Sequence, residues 1–248
     1  ISVPLVYLGG VPFYVFALVL SLLGYREVIN LIIKEESLSK QLSYVIFLCF
    51  VGSSINKMDF NNLVDFRVFG IVLILYSMIL LLNHKNKKFD VMKGLALIGI
   101  SIFIGTAFST IIITRNIGLN YFIYLFCITI MTDMFAQFTG MLIGKHHINE
   151  ISPNKSWEGC IGGAIFGTVL SSLFYILVIN NNHVLVTILI SLVLSTIGQI
   201  GDLFFSLIKR HFNIKDYSNI MPGHGGILDR LDSIMFVMLA FTYFITFL

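Results

Sequence analysis

Charged residues are scarce in this sequence. Asp, Glu, Lys and Arg make up 12% of its 248 residues, whereas a soluble domain carries about 25%. Hydrophobic residues account for 57% of the chain, and the mean hydropathy is +0.91. So small a charged fraction excludes an ordinary soluble domain and indicates a protein that crosses a membrane several times.

Cysteine is also rare, and its positions exclude two kinds of site. Cys49, Cys127 and Cys160 lie in apolar segments, without a Cys-x-x-Cys pair or the spacing of metal ligands, so we interpret them as small core residues.

The sequence also lacks the Gly-x4-Gly-Lys-Ser/Thr loop and the glycine-rich dinucleotide motif of soluble nucleotide-binding folds. Strand-like alternation of polar and apolar residues is absent, which predicts helices rather than a barrel.

Long runs without charge are present instead, and they mark the membrane spans. The longest run extends from Gly159 to Gly201 and has room for two helices of about 20 residues each. The predicted spans are 11–33, 42–56, 68–83, 94–114, 120–144, 159–179, 184–208 and 230–248, with residues 1–8 as the end of one more. We therefore predict an all-α, polytopic integral membrane protein with eight to nine transmembrane helices.

The start of the chain has its own pattern. The sequence begins with Ile1 rather than Met, and Gly9-Gly10-Val11-Pro12 interrupts the first apolar stretch. We expect the first helix to be truncated, with the true N-terminus before Ile1; a cleaved signal peptide is the alternative. No linker is long enough to divide the chain. We predict a single membrane-embedded domain, 1–248, in which N-terminal helices (1–119) precede the catalytic helices and cytoplasmic loops (120–248).

The loops between the predicted spans differ in charge. Those at 34–41, 84–93, 145–158 and 209–230 hold 12 of the 16 Lys and Arg residues, whereas the alternate loops hold only Lys57, Arg67 and Arg115. Loops rich in Lys and Arg stay in the cytoplasm. The two loops that carry the polar motifs, 145–158 and 209–230, are therefore predicted to face the cytoplasm, where basic loops also favour anionic lipid.

Two aspartates interrupt the apolar spans. Asp133 and Asp202 would each cost about 2.5–3.5 kcal/mol on insertion scales if left unpaired, so each needs a partner. Ser206 at i+4 and Lys209 at i+7 share a helix face with Asp202 and point toward the cytoplasmic loop. A purely structural pair of Asp202 with Lys209 or Arg210 is the alternative.

Glycines recur at helical spacing on two of the predicted spans. Gly159, Gly163 and Gly167 follow one another at i, i+4 and i+8, and Gly140 and Gly144 repeat the interval. Each set lies on one helix face. Small residues on one face allow helices to approach closely in a membrane, so we predict close packing of these helices, near the ones that carry the carboxylates.

The most polar segment lies near the end of the chain. Asp229 and Asp232, at i and i+3, share one face of a helix that starts near Ile227. Gly225 and Gly226, just before it, would leave backbone N–H groups free for an anion. Mg2+ prefers carboxylate and phosphate oxygens, and the absence of a Cys/His cluster is evidence against zinc. We therefore predict a divalent-cation site with an adjacent phosphate cradle.

Two ordered motifs run through this half of the chain. The first is Ser206-x2-Lys209-Arg210-x4-Lys215-Asp216-x-Ser218-x3-Pro222-x-His224-Gly225-Gly226-x2-Asp229-Arg230-x-Asp232. The second is Asp133-x2-Ala136-x3-Gly140-x3-Gly144-Lys145, followed by Ser152-Pro153-Asn154-Lys155-Ser156-Trp157-Glu158-Gly159-x2-Gly162-Gly163. Together they resemble the signature of phosphatidate cytidylyltransferase, also called CDP-diacylglycerol synthase. The resemblance covers roughly residues 130–235 and departs from the family pattern at Gln137, Ser156 and Met221.

The resemblance implies a reaction and a set of roles. It implies transfer of CMP from CTP to phosphatidic acid on the cytoplasmic side of a bacterial inner (plasma) membrane, with Mg2+ required and a second cation left open. Catalysis is assigned to Asp202, Lys209, Arg210, Asp229 and Asp232, of which the three aspartates would hold the metal. The other substrate-binding residues are Lys155, Ser156, Glu158, Ser206, Lys215, Asp216, His224, Gly225, Gly226 and Arg230. Taken by itself, His224 could be a phosphate donor, a proton carrier or a loop hydrogen-bonder.

The residues also fit that reaction chemically. A phosphomonoester is already a nucleophile, so the enzyme needs no Ser-His-Asp triad or activated cysteine, and none is evident; alignment and charge neutralisation suffice. The expected partners are CTP, phosphatidic acid and the bilayer, without nucleic acid, and a homodimer is left open.

Two other functions remain open at this point. A related CTP-dependent enzyme, a CDP-archaeol synthase or a polyprenol kinase, would use similar chemistry on a prenol-type lipid. A cation-coupled transporter would explain Asp133 and Asp202 as an ion path. However, it gives no reason for the dense Lys, Arg and His-Gly-Gly loop, and no inverted repeat is apparent.

Overall fold

The protein is almost entirely helical. The structure, a computed structural model, describes residues 2–33, 38–55, 57, 66–82, 90–148, 152, 155–180, 182–220 and 225–248. Within these residues the helices are α1 (Ser2–Leu8), α2 (Gly10–Ile32), α3 (Leu38–Gly52), α4 (Phe66–Leu82), α5 (Val91–Ile117), α6 (Leu119–Ile143), α7 (Trp157–Val178), α8 (Val184–His211) and α9 (Leu228–Phe244). The described part contains no β-strand, only an isolated bridge between His147 and Ser156. The all-α prediction is confirmed.

Each predicted span coincides with a helix to within a few residues. Five of the described helices, α2, α5, α6, α7 and α8, are long and apolar enough to cross a membrane. The shorter α3 and α4 are also apolar, with 15 and 17 residues. The prediction of a multi-pass membrane protein is thereby confirmed, whereas the number of crossings, eight to nine, stays a prediction.

The chain divides into two compact units, each made of two stretches that are separate in the sequence. The first comprises Ile1–Ile117 together with Tyr217–Leu228, and the second comprises Gly118–Asp216 together with Asp229–Leu248. The loop between α8 and α9 therefore belongs largely to the first unit. The helices on either side of that loop belong to the second.

A buried polar cluster holds four helices of the first unit together. The hydroxyl of Tyr25 on α2 lies 3.0 Å from that of Tyr76 on α4 and 2.9 Å from Ser101 Oγ on α5. Tyr76 also donates to the carbonyl of Ser43 on α3, at 3.3 Å. These side chains are fully or almost fully buried, and buried hydroxyls need such partners because water cannot reach them. The cluster fixes the neighbours of α2, the helix that carries Glu27.

The second unit is built on close contact between α6 and α7. A Cβ atom placed on Gly159 would lie 2.7 Å from the carbonyl oxygen of Ala136, and one on Gly163 would lie 2.6 Å from that of Thr132. Only glycine allows backbones this near, as the glycine spacing predicts. The helix α8 joins them through a hydroxyl pair, Thr132 Oγ1 and Ser195 Oγ, at 2.7 Å. This packing sets the position of α8, whose end carries the first motif.

Candidate active site

The last turns of α8 carry the first polar motif. Ser206 Oγ donates to Asp202 Oδ1 at 3.4 Å, so the two side chains share a helix face as the i, i+4 spacing predicts. Lys209, Arg210 and His211 fill the last turn of α8, where positive charge complements the partial negative charge of a helix C-terminus. The structure thus places carboxylate, hydroxyl and ammonium groups in order along one helix end.

Lys209 forms an ion pair with the first aspartate of α9. Its Nζ lies 2.7 Å from Asp229 Oδ1, and the two side chains are 13% and 7% exposed. Desolvated charges are costly unless they are paired, so this contact explains how two ionised groups remain in a largely buried position. It also joins the end of α8 to the start of α9.

Asp202 pairs with a lysine from a different part of the chain. Lys155, just before α7, contacts its Oδ2. The two side chains are 26% and 27% exposed, so this pair keeps more access to solvent than Lys209 and Asp229. The sequence offered a structural alternative in which Asp202 pairs with Lys209 or Arg210. The structure instead pairs Asp202 with Lys155 and Lys209 with Asp229.

Two further carboxylates belong to the same cluster. Asp133 on α6 is repelled electrostatically by Asp202 and attracted by Lys155. Asp232 on α9 is repelled by Asp202 and Asp133 and attracted by Lys209, and it accepts the backbone N–H of Ser233 at 2.8 Å. Four carboxylates and two lysines therefore interact with one another in this cluster. These six side chains carry a formal excess of two negative charges.

The carboxylates of this cluster are the predicted ligands of the divalent cation. The donors are all carboxylate oxygens, which suit Mg2+ rather than zinc. Among the residues that the structure describes, no three His, Cys, Asp or Glu side chains converge closely enough to hold a metal ion. Asp202 and Asp229 each contact a lysine instead. The assignment of Asp202, Asp229 and Asp232 as metal ligands stays a prediction.

The loop before α7 is held by its own polar side chains. Ser156 Oγ accepts the N–H of Gly159 at 3.1 Å and caps the N-terminus of α7, as serine commonly does. Glu158 accepts the backbone N–H groups of Lys145 and His146, at 3.2 and 3.3 Å, and lies 2.6 Å from His146 Nδ1. Two predicted substrate-binding residues thus shape the loop that presents Lys155.

The remaining predicted residues differ in exposure. The side chains of Arg210, Lys215, Asp216 and Arg230 are exposed, as groups that meet a soluble nucleotide would be. The Arg210 guanidinium also donates to the carbonyl of Ile214 at 3.4 Å. His224 lies outside the described residues.

Gly225 and Gly226 are glycines for two different structural reasons, one a matter of backbone conformation and the other of space. Gly225 has φ +83°, the left-handed region that disfavours a side chain. Gly226 is buried, and a Cβ on it would lie 2.5 Å from Oε1 of Glu27. The N–H groups of the next two residues, Ile227 and Leu228, both donate to Glu27. The sequence predicted that free N–H groups at this helix start would bind an anion. For the N–H groups of Ile227 and Leu228, that anion is the carboxylate of Glu27 in the protein itself.

Sequence reasoning assigned no role to Glu27 and left Asp133 out of the site. Both residues stand alone as carboxylates within apolar spans, and such residues are rarely tolerated without a function. That signal was available for Glu27, which lies in the span predicted at 11–33. The partner groups of Glu27 were not visible, because Ser218, Ile227 and Leu228 are 191 to 201 residues away from it in the chain.

Comparison with known proteins decides the family. A model of the cytidylyltransferase family matches residues 1–248. The chain belongs to this family. Phosphatidate cytidylyltransferases of Staphylococcus haemolyticus, Staphylococcus saprophyticus and Staphylococcus aureus are each 33% identical to it over 245 residues, which is 96% of this chain and 91% of each relative.

Membership of the cytidylyltransferase family settles two earlier points. The resemblance drawn from the motifs is confirmed, and it extends over the N-terminal half, where the motifs gave no signal. The protein is a nucleotidyltransferase, so the transporter alternative is wrong. The cluster of carboxylates and lysines is the best candidate for its active site.

Proposed function

We propose that this cytidylyltransferase transfers CMP from CTP to phosphatidic acid, forming CDP-diacylglycerol and pyrophosphate. The observation that carries the proposal is the meeting of two motif-bearing elements at one cluster. Lys155 from the loop before α7 contacts Asp202, while Lys209 on the same helix as Asp202 contacts Asp229. The full-length similarity to proteins named phosphatidate cytidylyltransferase supports the choice of substrates.

The chemistry asks for alignment and charge neutralisation. A phosphate oxygen of the lipid attacks the α-phosphorus of CTP and forms a new P–O bond. The bond from the α-phosphorus to the bridging oxygen breaks, and pyrophosphate leaves with that electron pair. Negative charge grows on the leaving group, so cations placed beside it lower the barrier. Lys155 and Lys209 would supply such cations, each oriented by its carboxylate partner.

We propose Mg2+ as the cofactor, held by Asp202, Asp229 and Asp232. Two features support this: the donors are carboxylate oxygens, and carboxylates outnumber lysines by four to two among the six side chains of the cluster, which favours a bound cation. When bound, the metal would neutralise phosphate charge and orient the pyrophosphate. The exposed Arg210, Lys215 and Arg230 would contact phosphates, with no nucleic acid involved.

We also propose which membrane holds the protein and which side of it the active site faces. The basic loops at 145–158 and 209–230 favour a cytoplasmic active site, and CTP is a soluble nucleotide that would reach the site from that side. With bacterial relatives, the inner (plasma) membrane is the proposed location.

The lipid acceptor is what separates this function from the prenol-type alternatives. Purified protein is incubated with Mg2+ and with CTP labelled at the α-phosphorus or, in a parallel sample, at the γ-phosphorus, which is the phosphate that a polyprenol kinase would transfer. The vesicles contain phosphatidic acid, an unsaturated archaetidic acid or a polyprenol. We expect labelled lipid with phosphatidic acid in preference to the other two. Labelling confined to an archaeol-type lipid would assign the CDP-archaeol synthase reaction instead.

A further inference from the structure

We propose that Glu27 is a positioning residue for the reaction, acting through the loop that ends at the start of α9. This inference rests on the proposed function. Glu27 lies on α2, in the half of the chain where the motifs assign no role, yet its side chain binds the segment at 217–228 that contains the glycine pair. Asp229, the proposed metal ligand, is the next residue in the chain.

The evidence is a set of three hydrogen bonds. Glu27 Oε1 accepts the hydroxyl of Ser218 at 2.6 Å and the N–H of Ile227 at 2.8 Å, and Oε2 accepts the N–H of Leu228 at 2.9 Å. The side chain is 4% exposed. Hydrogen bonds to an ionised acceptor are shorter and stronger than neutral ones, so this carboxylate ties both ends of the loop to one point on α2.

A carboxylate is the only side-chain group of this size that fits the three donors. Both of its oxygens accept and neither donates. Glutamine has the same length, but its NH2 group would face a donor at one of the two oxygen positions. Leaving a buried donor without an acceptor is costly. The site therefore requires glutamate by the chemistry of its donors.

Gly226 fits the same arrangement. Its missing side chain makes room for the carboxylate, because a Cβ there would approach Oε1 and Oε2 of Glu27 to 2.5 and 2.8 Å. The second glycine of the motif is thus explained by the close approach of Glu27. Leu228 is the first residue of α9, so the same carboxylate fixes where that helix begins and hence where Asp229 enters it.

The test uses the full-length protein in detergent with Glu27→Gln, Ser218→Ala and the double variant, and Asn30→Ala as a matched control. Asn30 is an exposed polar residue on the same helix. We expect Glu27→Gln to lower kcat for CMP transfer at least about tenfold, equivalent to about 1.4 kcal/mol in the barrier. Ser218→Ala should lower it less, and the double variant should match Glu27→Gln, since both changes disturb one network. Asn30→Ala should leave kcat unchanged.

A structural role alone gives a different result. In that case Glu27→Gln lowers the thermal midpoint, while the protein that remains folded at low temperature has the wild-type kcat. That outcome overturns the proposal, as do additive effects of Glu27→Gln and Ser218→Ala.

A second readout needs no activity. Hydrogen exchange of the peptide covering 217–228 should become faster in Glu27→Gln than in wild type, with α6 as the internal reference. Equal exchange in both proteins overturns the proposal independently of any substrate. If wild type itself makes no lipid-borne CMP, the proposed function fails, and the exchange result still decides whether Glu27 holds the loop.

Discussion

Breaking the ion pair between Lys209 and Asp229 should separate its structural role from its catalytic one. Their atoms lie 2.7 Å apart, and the side chains are 13% and 7% exposed. Neutralising one partner of a buried pair leaves an uncompensated charge, at a cost of about 3–5 kcal/mol. Some solvent access remains here, so we expect about 3 kcal/mol for Lys209→Gln or for Asp229→Asn. The double variant leaves neither member of this pair without its partner and should regain most of that stability.

Activity should not follow stability in these variants. If Lys209 neutralises phosphate charge and Asp229 binds metal, each single change should lower turnover by at least about 100-fold, the scale of losing one charge-stabilising group. The double variant should stay as inactive as the worse single one. The assays are unfolding by SDS titration in mixed micelles and CMP transfer, with the exposed His211→Gln as control. A double variant that regains transfer would refute the catalytic reading, and one that stays unstable would refute the ion-pair reasoning.

Three further predictions concern packing, orientation and metal. Gly163→Ala should destabilise the protein by about 1–3 kcal/mol, because its Cβ would lie 2.6 Å from the Thr132 carbonyl. Gly99→Ala, with nothing within 4 Å, should be neutral or slightly stabilising; equal unfolding midpoints would contradict the packing argument. An impermeant amine reagent should reach Lys155 and Lys215 only from the cytoplasmic side, and labelling of either from outside would break the single-site proposal. Chelation of divalent cations should abolish CMP transfer and added Mg2+ should restore it; full activity in chelator would remove the metal from the account.

The helices could be predicted because each uncharged apolar run in the sequence is about as long as the helix that it forms. The span predicted at 120–144 is observed as Leu119–Ile143, and that at 184–208 as Val184–His211. Both follow from the need to satisfy every backbone group inside a membrane. The glycine spacing on α7 likewise predicted close packing, since a bare backbone is the only surface that allows it.

Pairing between distant residues could not be predicted in the same way. The helix-face argument placed Lys209 beside Asp202, but the structure pairs Lys209 with Asp229 and gives Asp202 to Lys155. Periodicity describes neighbours on one helix, whereas these partners come from different elements. Glu27 shows the same limit: its burial cost was visible in the sequence, but its three donors were not.

The most direct test of the central claim is the fate of the two phosphorus labels of CTP. Purified protein in phosphatidic acid vesicles with Mg2+ receives CTP labelled at either the α- or the γ-phosphorus. We predict that the α label enters the lipid and the γ label is released as pyrophosphate, in equal amounts. Transfer of the γ label to lipid, with release of CDP, would identify a kinase and contradict the account.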